Sequence, residues 1–168
     1  MLEIRRSQTA VISCRDEAMV LNGMPQWDGI FPGRVAPDEL LLIGPASAKN
    51  ELLQDASQHL RQAGAFGVAV NMSDAWTVWT IIGQEADHVW AMLSQNSIPK
   101  ERPAFVQGAV ASVPGKAIIL NSTIHVLTPS PLGHHLPHRI LQAGREFDPH
   151  LVEPSEFMLD PFLTGATR

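Results

Sequence analysis

The chain has 168 residues, enough to bury a real core as one domain or as two small fused lobes, and with 45% hydrophobic and 17% charged residues a wholly disordered chain is excluded. A formal net charge of −5, with no Lys/Arg cluster beyond Arg5-Arg6, lacks the cationic footprint that phosphate backbones require, so nucleic-acid binding is not expected. The single cysteine, Cys14, rules out an internal disulfide and a CxxC site.

No window carries the roughly 18 uninterrupted apolar residues of a membrane helix, and the opening MLEIRRSQTAVISCRDE is charged where a leader needs an apolar run. A soluble, cytoplasmic protein without membrane partners is expected. Within that opening, Thr9 to Cys14 is β-prone and reads as a first strand. Asn22 to Pro37, holding Gly23, Pro25, Gly29, Pro32 and Gly33, reads as an irregular loop pinned by Trp27 and Phe31. Glu39 to Ile43 is a short apolar run stopped by Gly44-Pro45, which fits a buried strand.

Ser47 offers a side-chain oxygen to cap a helix whose Leu53, Ala56 and Leu60 recur at helical spacing, with Gly64 as its C-terminal stop. Phe66 to Val70 and Ala75 to Ile82 read as strands flanking the turn Asn71-Met72-Ser73-Asp74. The second of them carries bulk on both faces, which predicts a central strand. Gly83 ends it, and Ala86, Val89, Trp90 and Leu93 form the stripe of a helix begun by Glu85 and Asp87. Three strands follow, Phe105 to Val113, Lys116 to Leu120 and Ile124 to Thr128, joined by turns at Pro114-Gly115 and Asn121-Ser122. A helix from Leu136 to Ala143, stopped by Gly144, closes the series. This order is too rich in hairpins for a doubly wound parallel sheet and predicts an α+β fold, mainly antiparallel, with three packed helices.

Pro37-Asp-Glu-Leu-Leu-Leu-Ile-Gly-Pro45, the helix after it, Val70-Asn-Met-Ser-Asp-Ala-Trp-Thr-Val78, Gly83-Gln-Glu-Ala86, and then Phe105, Gly108 and Val113-Pro114 together resemble the gamma subunit family of heterotetrameric sarcosine oxidases. That family lies within a wider group similar to the aminomethyltransferase of the glycine cleavage system, and the likeness covers residues 35 to 146. It departs at Pro129-Ser130 and at His134-His-Leu-Pro-His138, and the glycine-cysteine-tyrosine signature of the folate-dependent relatives that act alone is missing. The resemblance implies an aminomethyltransferase-like folate-binding fold over residues 1 to 146, as one domain or as lobes of about 1 to 95 and 96 to 146. It further implies a subunit without a cofactor of its own in a complex of sarcosine and one-carbon metabolism. The alpha- and beta-type flavoprotein subunits of that complex carry flavin, nicotinamide and tetrahydrofolate, and a small subunit binds zinc. A stand-alone folate-binding one-carbon transferase or sensor, or a cofactor-free homodimer, are the competing readings.

Read for chemistry, the residues offer few constellations, and no catalytic set is expected. His134, His135 and His138 invite a metal, since His at i and i+4 on one helical face can hold zinc. Pro137, however, starts the helix near Leu136 and leaves His134 in the loop before it. Glu85 and His88 have diiron spacing in a single copy only, and Ser73-Asp74 lack a Gly-x-Ser-x-Gly elbow. Gly29, Gly33 and Gly44 build no nucleotide loop, and Cys14, in a strand, reads as a buried inert thiol. Trp76 and Trp79, with Trp90, are open to two readings, stacking a pterin or flavin ring or filling the core. The last segment, residues 147 to 168, is broken by Pro149, Pro154 and Pro161 yet rich in Phe147, Leu151, Phe157, Met158, Leu159, Phe162 and Leu163. It reads as an extended arm laid across a partner subunit or a second copy of the chain, with wrapping of its own core as the alternative.

Overall fold

A computed structural model describes residues 1–63 and 66–159. In chain order the elements are β1 (Leu2–Arg15), α1 (Ala18–Asn22), β2 (Phe31–Ala36), β3 (Glu39–Pro45), α2 (Lys49–Gln62), β4 (Val68–Asn71), β5 (Trp76–Ile82), α3 (Ala86–Leu93), β6 (Ala104–Val110), β7 (Val113–Ile119), β8 (Thr123–Pro129), α4 (Leu136–Ala143), β9 (Pro149–Leu151) and β10 (Ser155–Glu156). The α+β class and the three expected helices are present, and a fourth, the five-residue α1, joins them. The ladders β1–β3, β1–β4, β1–β5, β2–β3, β5–β8, β6–β7 and β7–β8 are antiparallel, and β1 pairs with β9 in parallel.

The chain divides into two compact units, and the divisions fall after Ser7 and after Ser73, not near residue 95. The division follows from β1, a 14-residue strand that supplies residues to both units. Its first half was not expected to be strand because Glu3, Arg5 and Arg6 interrupt the apolar pattern. Glu3 and Arg5 form an ion pair at 2.5 Å, which lets charged residues occupy the strand.

The first unit, Met1–Ser7 with Asp74–Ser155, orders its strands β9-β1-β5-β8-β7-β6. Its core gathers Leu2 and Ile4 of β1, Ile81 of β5, Ala117 and Ile119 of β7, Ile124 and Val126 of β8, Val89 and Trp90 of α3, and Leu136 and Ile140 of α4. The side chains on that face alternate in register, as period-two geometry requires, and α3 and α4 cover them. As expected, β5 is central, paired on both sides. Gly83, which ends it, has φ +145° and would place a Cβ 2.8 Å from the Met1 carbonyl oxygen, so no other residue fits this exit. Arg102 ties the following loop down: its guanidinium pairs with both Asp87 oxygens, at 3.0 and 2.6 Å, and donates to the carbonyls of Leu120 and Asn121.

One turn was misplaced by the sequence. The β6–β7 turn falls on Ala111-Ser112, whose φ values are +50° and +70°, and not on Pro114-Gly115, which pair with Ala109 and Gly108 inside the ladder. Two-residue hairpins need positive φ at both central residues, a demand that Asn-Gly advertises and Ala-Ser conceals. Pro114 is tolerated because the β7–β8 ladder begins only at Lys116.

The second unit, Gln8–Ser73 with Glu156–Leu159, orders its strands β2-β3-β1-β4, with Leu52, Ala56 and Leu60 of α2 packed on Ile12, Cys14, Leu40 and Leu42. The expected loop of residues 22 to 37 contains β2. An edge strand tolerates Pro32 and Gly33, and those two residues hid it. Ser47 does not cap α2: it lies in a 3₁₀ turn ahead of the helix and its Oγ donates to Glu156 at 3.0 Å. The expected cap Gly64 lies outside the described residues.

Cys14 is buried on this core, and burial pushes its thiol up to about 12. It is therefore expected to resist iodoacetamide until the chain is unfolded, a result mass spectrometry reads directly. The unfolded thiol ionises near 9.0 while the folded one keeps its proton. Between those values the unfolded state binds fewer protons, so stability falls by up to about 1.4 kcal/mol per pH unit as pH rises. A Cys14→Ala variant should lose that slope.

The arm is extended, but its described part lies on this chain. Pro149, His150 and Leu151 pair in parallel with Leu2, Glu3 and Ile4 in the first unit. In the second unit the Phe157 N–H donates to Gln8 O at 2.9 Å, and Phe157 is 1% exposed. The expectation of docking on another subunit is corrected to that extent, and Pro161, Phe162 and Leu163 lie outside the described residues. The reason is elementary: β1 has an open edge beside Leu2 to Ile4, and an apolar segment of the same chain reaches it first.

Candidate functional site

Within the first unit, several polar side chains surround the β6–β7 hairpin. One hollow of about 630 Å³ is walled by Met92 of α3 with Ser94 and Gln95 just past it, by the hairpin tip, and by Arg139 and Gln142 of α4 with Arg145 in the turn after it. A second, of about 310 Å³, is lined by Leu132, His135, His138 and Arg139, and shares Ala111 with the first. A third, of about 460 Å³, runs along the strands past Trp76, Gln107 and Lys116.

The hairpin's position is fixed by local hydrogen bonds. The Ala111 N–H donates to Leu93 O at 2.7 Å, the Ser94 hydroxyl donates to Ala109 O at 3.1 Å, and Ser94 bridges Val110. Those contacts hold Ala111 and Ser112 in the left-handed region, which non-glycine residues enter at a cost of about 1–2 kcal/mol each.

The candidates from the sequence are only partly brought together. Trp76 and Trp79 lie three apart on β5 and so face opposite sides of the strand. Trp79 packs against the core with its indole nitrogen buried, whereas Trp76 is half-buried at the third hollow with the Lys116 ammonium 5.3 Å from its ring centre. Lys116 in turn donates to Gln107 Oε1 at 2.8 Å. The two indoles therefore cannot sandwich one ring.

His134 and His135 place their rings 3.7 Å apart, with His134 Nδ1 3.1 Å from Pro131 O. His135 and His138 border the second hollow. Among the described residues no group of three His, Cys, Asp or Glu is placed to hold a metal ion. His88 pairs with Glu85 at 2.8 Å on the surface. Ser73 is occupied: it accepts the Val11 N–H at 3.0 Å and donates to Asn71 Oδ1 at 2.6 Å, which makes it a turn residue.

Sequence reasoning missed two features. One is a buried polar chain in which Ser7 Oγ lies 2.6 Å from Thr80 Oγ1, and Thr80 Oγ1 lies 2.8 Å from His125 Nδ1, all three residues at most 7% exposed. Its signal was available: Thr80 and His125 break apolar alternation at positions that face each other across β5 and β8. The other is the set of cations at the hairpin. Arg139, one residue past the conspicuous His138, carried no motif.

Arg139 and Gln142 beside the hairpin are exposed, whereas the Ser7, Thr80 and His125 chain is buried. No protein-family model matches this chain, and no curated protein does. Solved structures do. The fold is similar to that of a chain of the heterotetrameric sarcosine oxidase from Corynebacterium sp. U-96, in complex with pyrrole 2-carboxylate, at 18% identity and a TM-score of 0.73 over 90% of this chain and 87% of that one. It is similar, at 10% identity and a TM-score of 0.59, to the glycine cleavage system aminomethyltransferase T from Bartonella henselae, over 90% of this chain but only 47% of that one. The chain thus has the fold that its sequence resemblance implied, shared with a sarcosine oxidase chain and with part of an aminomethyltransferase.

Proposed function

We propose that the chain is a non-catalytic, gamma-type subunit of a flavin-dependent heterotetrameric sarcosine oxidase, or of a related N-methyl amino acid oxidoreductase, and works in the cytoplasm. One observation carries this reading. The likeness covers 87% of a sarcosine oxidase chain, whereas it covers 47% of the aminomethyltransferase chain.

In this reading the flavin, nicotinamide and tetrahydrofolate sites belong to the alpha- and beta-type partners, and zinc to a further small subunit. This chain would hold none of them and would brace the large subunits. The disposition of Trp76, Trp79 and Ser73 is in keeping with that role, since the first is covered by a lysine, the second packs in the core and the third ties a turn.

Purification of the tagged chain from its native host is the test. The expected result is recovery of two large chains with flavin absorbance. Recovery of this chain alone, as monomer or homodimer, would overturn the proposal. The half-length likeness to the aminomethyltransferase and the half-buried Trp76 favour a second reading, a stand-alone folate-binding one-carbon protein. Titrating tetrahydrofolate against tryptophan fluorescence separates the two, and no quenching at millimolar ligand is expected.

A further inference from the structure

We propose that the groove between the end of α3, the β6–β7 hairpin tip and α4 docks an acidic, extended peptide segment of a partner protein. The inference goes beyond the subunit reading and stands independently of it.

Charge is the first observation. The chain carries a net −5, yet among the described residues no Asp or Glu lines this groove, and Arg139 and Arg145 do. Both arginines are exposed, and neither guanidinium meets a hydrogen-bond or ion-pair partner among the described residues. Arg5, Arg15, Arg34 and Arg102 are engaged, with Glu3, Glu39, Asn22 and Asp87, and Arg6 and Arg61 are open like the groove pair but line none of the three hollows. A guanidinium presents a fork of donors that matches a carboxylate bidentately, so two of them left open beside one concavity define an acceptor of carboxylates.

The groove is also preformed. The bonds from Ala111 N–H to Leu93 O and from Ser94 Oγ to Ala109 O fix the hairpin against α3, so a ligand does not have to order these walls on binding. Its remaining chemistry suits a peptide better than a free anion. Gln95 and Gln142 supply amides that can donate to and accept from a main chain, and Met92, 62% exposed, supplies an adaptable apolar contact for an intervening side chain. A small polyanion would use the arginines and leave the rest idle.

The test is fluorescence anisotropy on the full chain, with a fluorescein-labelled Glu-Glu-Leu-Leu-Glu-Glu peptide as probe. Binding is expected to weaken at least about 10-fold in the R139E/R145E variant and on raising salt to about 0.3 M. Because both side chains are exposed, the variant should melt with the wild type. If it does not, R139Q/R145Q is measured instead, and the same direction of loss is expected. Three results would overturn the proposal: no binding of the peptide by the wild type up to millimolar concentration, equal binding by wild type and variant, or displacement by citrate at the concentration at which unlabelled peptide displaces. The last would assign the groove to small polyanions. Because the peptide assay needs no partner subunit, its outcome is independent of the co-purification that tests the proposed function.

Discussion

Replacing Trp90 by alanine is expected to lower the stability of the chain by about 3–5 kcal/mol, because among the described residues the indole is the largest fully buried side chain. The core around it combines Leu2 and Ile4 from the first strand with Val89 and Ile140 from the two covering helices, so the cavity would open among elements far apart in sequence. For a protein of this length such a loss corresponds to a fall in melting temperature of roughly 6–20 °C, read by calorimetry or far-ultraviolet circular dichroism. Phenylalanine discriminates between volume and polarity as the cause. The Trp90 indole nitrogen is buried and meets no protein acceptor, so Trp90→Phe removes a poorly accommodated donor along with some volume. Its cost is expected to be under about 1.5 kcal/mol, as for other near-isosteric changes. An alanine variant that melts with the wild type would show that α3 does not anchor this core.

Which features were legible follows from how each announces itself. Trp90, Val89 and Leu93 recur at helical spacing, and Leu136 to Ala143 is bounded by Pro137 and Gly144, so α3 and α4 could be placed from the sequence. The central position of β5 was legible because bulk on both faces has no other economical explanation. Features that depend on a partner strand were hidden. Pro32 and Gly33 belong to a strand only because it lies at an edge, and Ala111-Ser112 form a tight turn only because Leu93 and Ser94 hold it. The candidate site was hidden for the same reason, since Arg139 becomes notable only when Met92, Ser94 and the hairpin tip stand opposite it. The resemblance carried the fold across what periodicity could not resolve. The histidines, conspicuous in the sequence, come near the hairpin without forming a metal-binding group among the described residues.

A chain ending at Asp148 is expected to be severely destabilised by itself, without reference to any partner. Truncation there removes β9 from the edge of β1, together with the Val152 N–H donation to Ile4 O at 2.9 Å. It also removes Phe157 from a position where it is 1% exposed and its N–H donates to Gln8 O. Losing a buried phenylalanine costs about 3–5 kcal/mol, and each backbone hydrogen bond about 1 kcal/mol net. Set against a typical total of about 5–15 kcal/mol, these losses take most of the stability of an ordinary domain. Truncation should therefore give a chain that is poorly soluble or melts near ambient temperature, and Phe157→Ala alone should lower the melting temperature in the same direction by roughly 6–20 °C. The two variants are to be compared with the full chain by thermal melting and by size-exclusion chromatography. An unchanged melting temperature combined with loss of a larger assembly would mean that the arm serves another surface, and the placement of Phe157 described above would then be wrong.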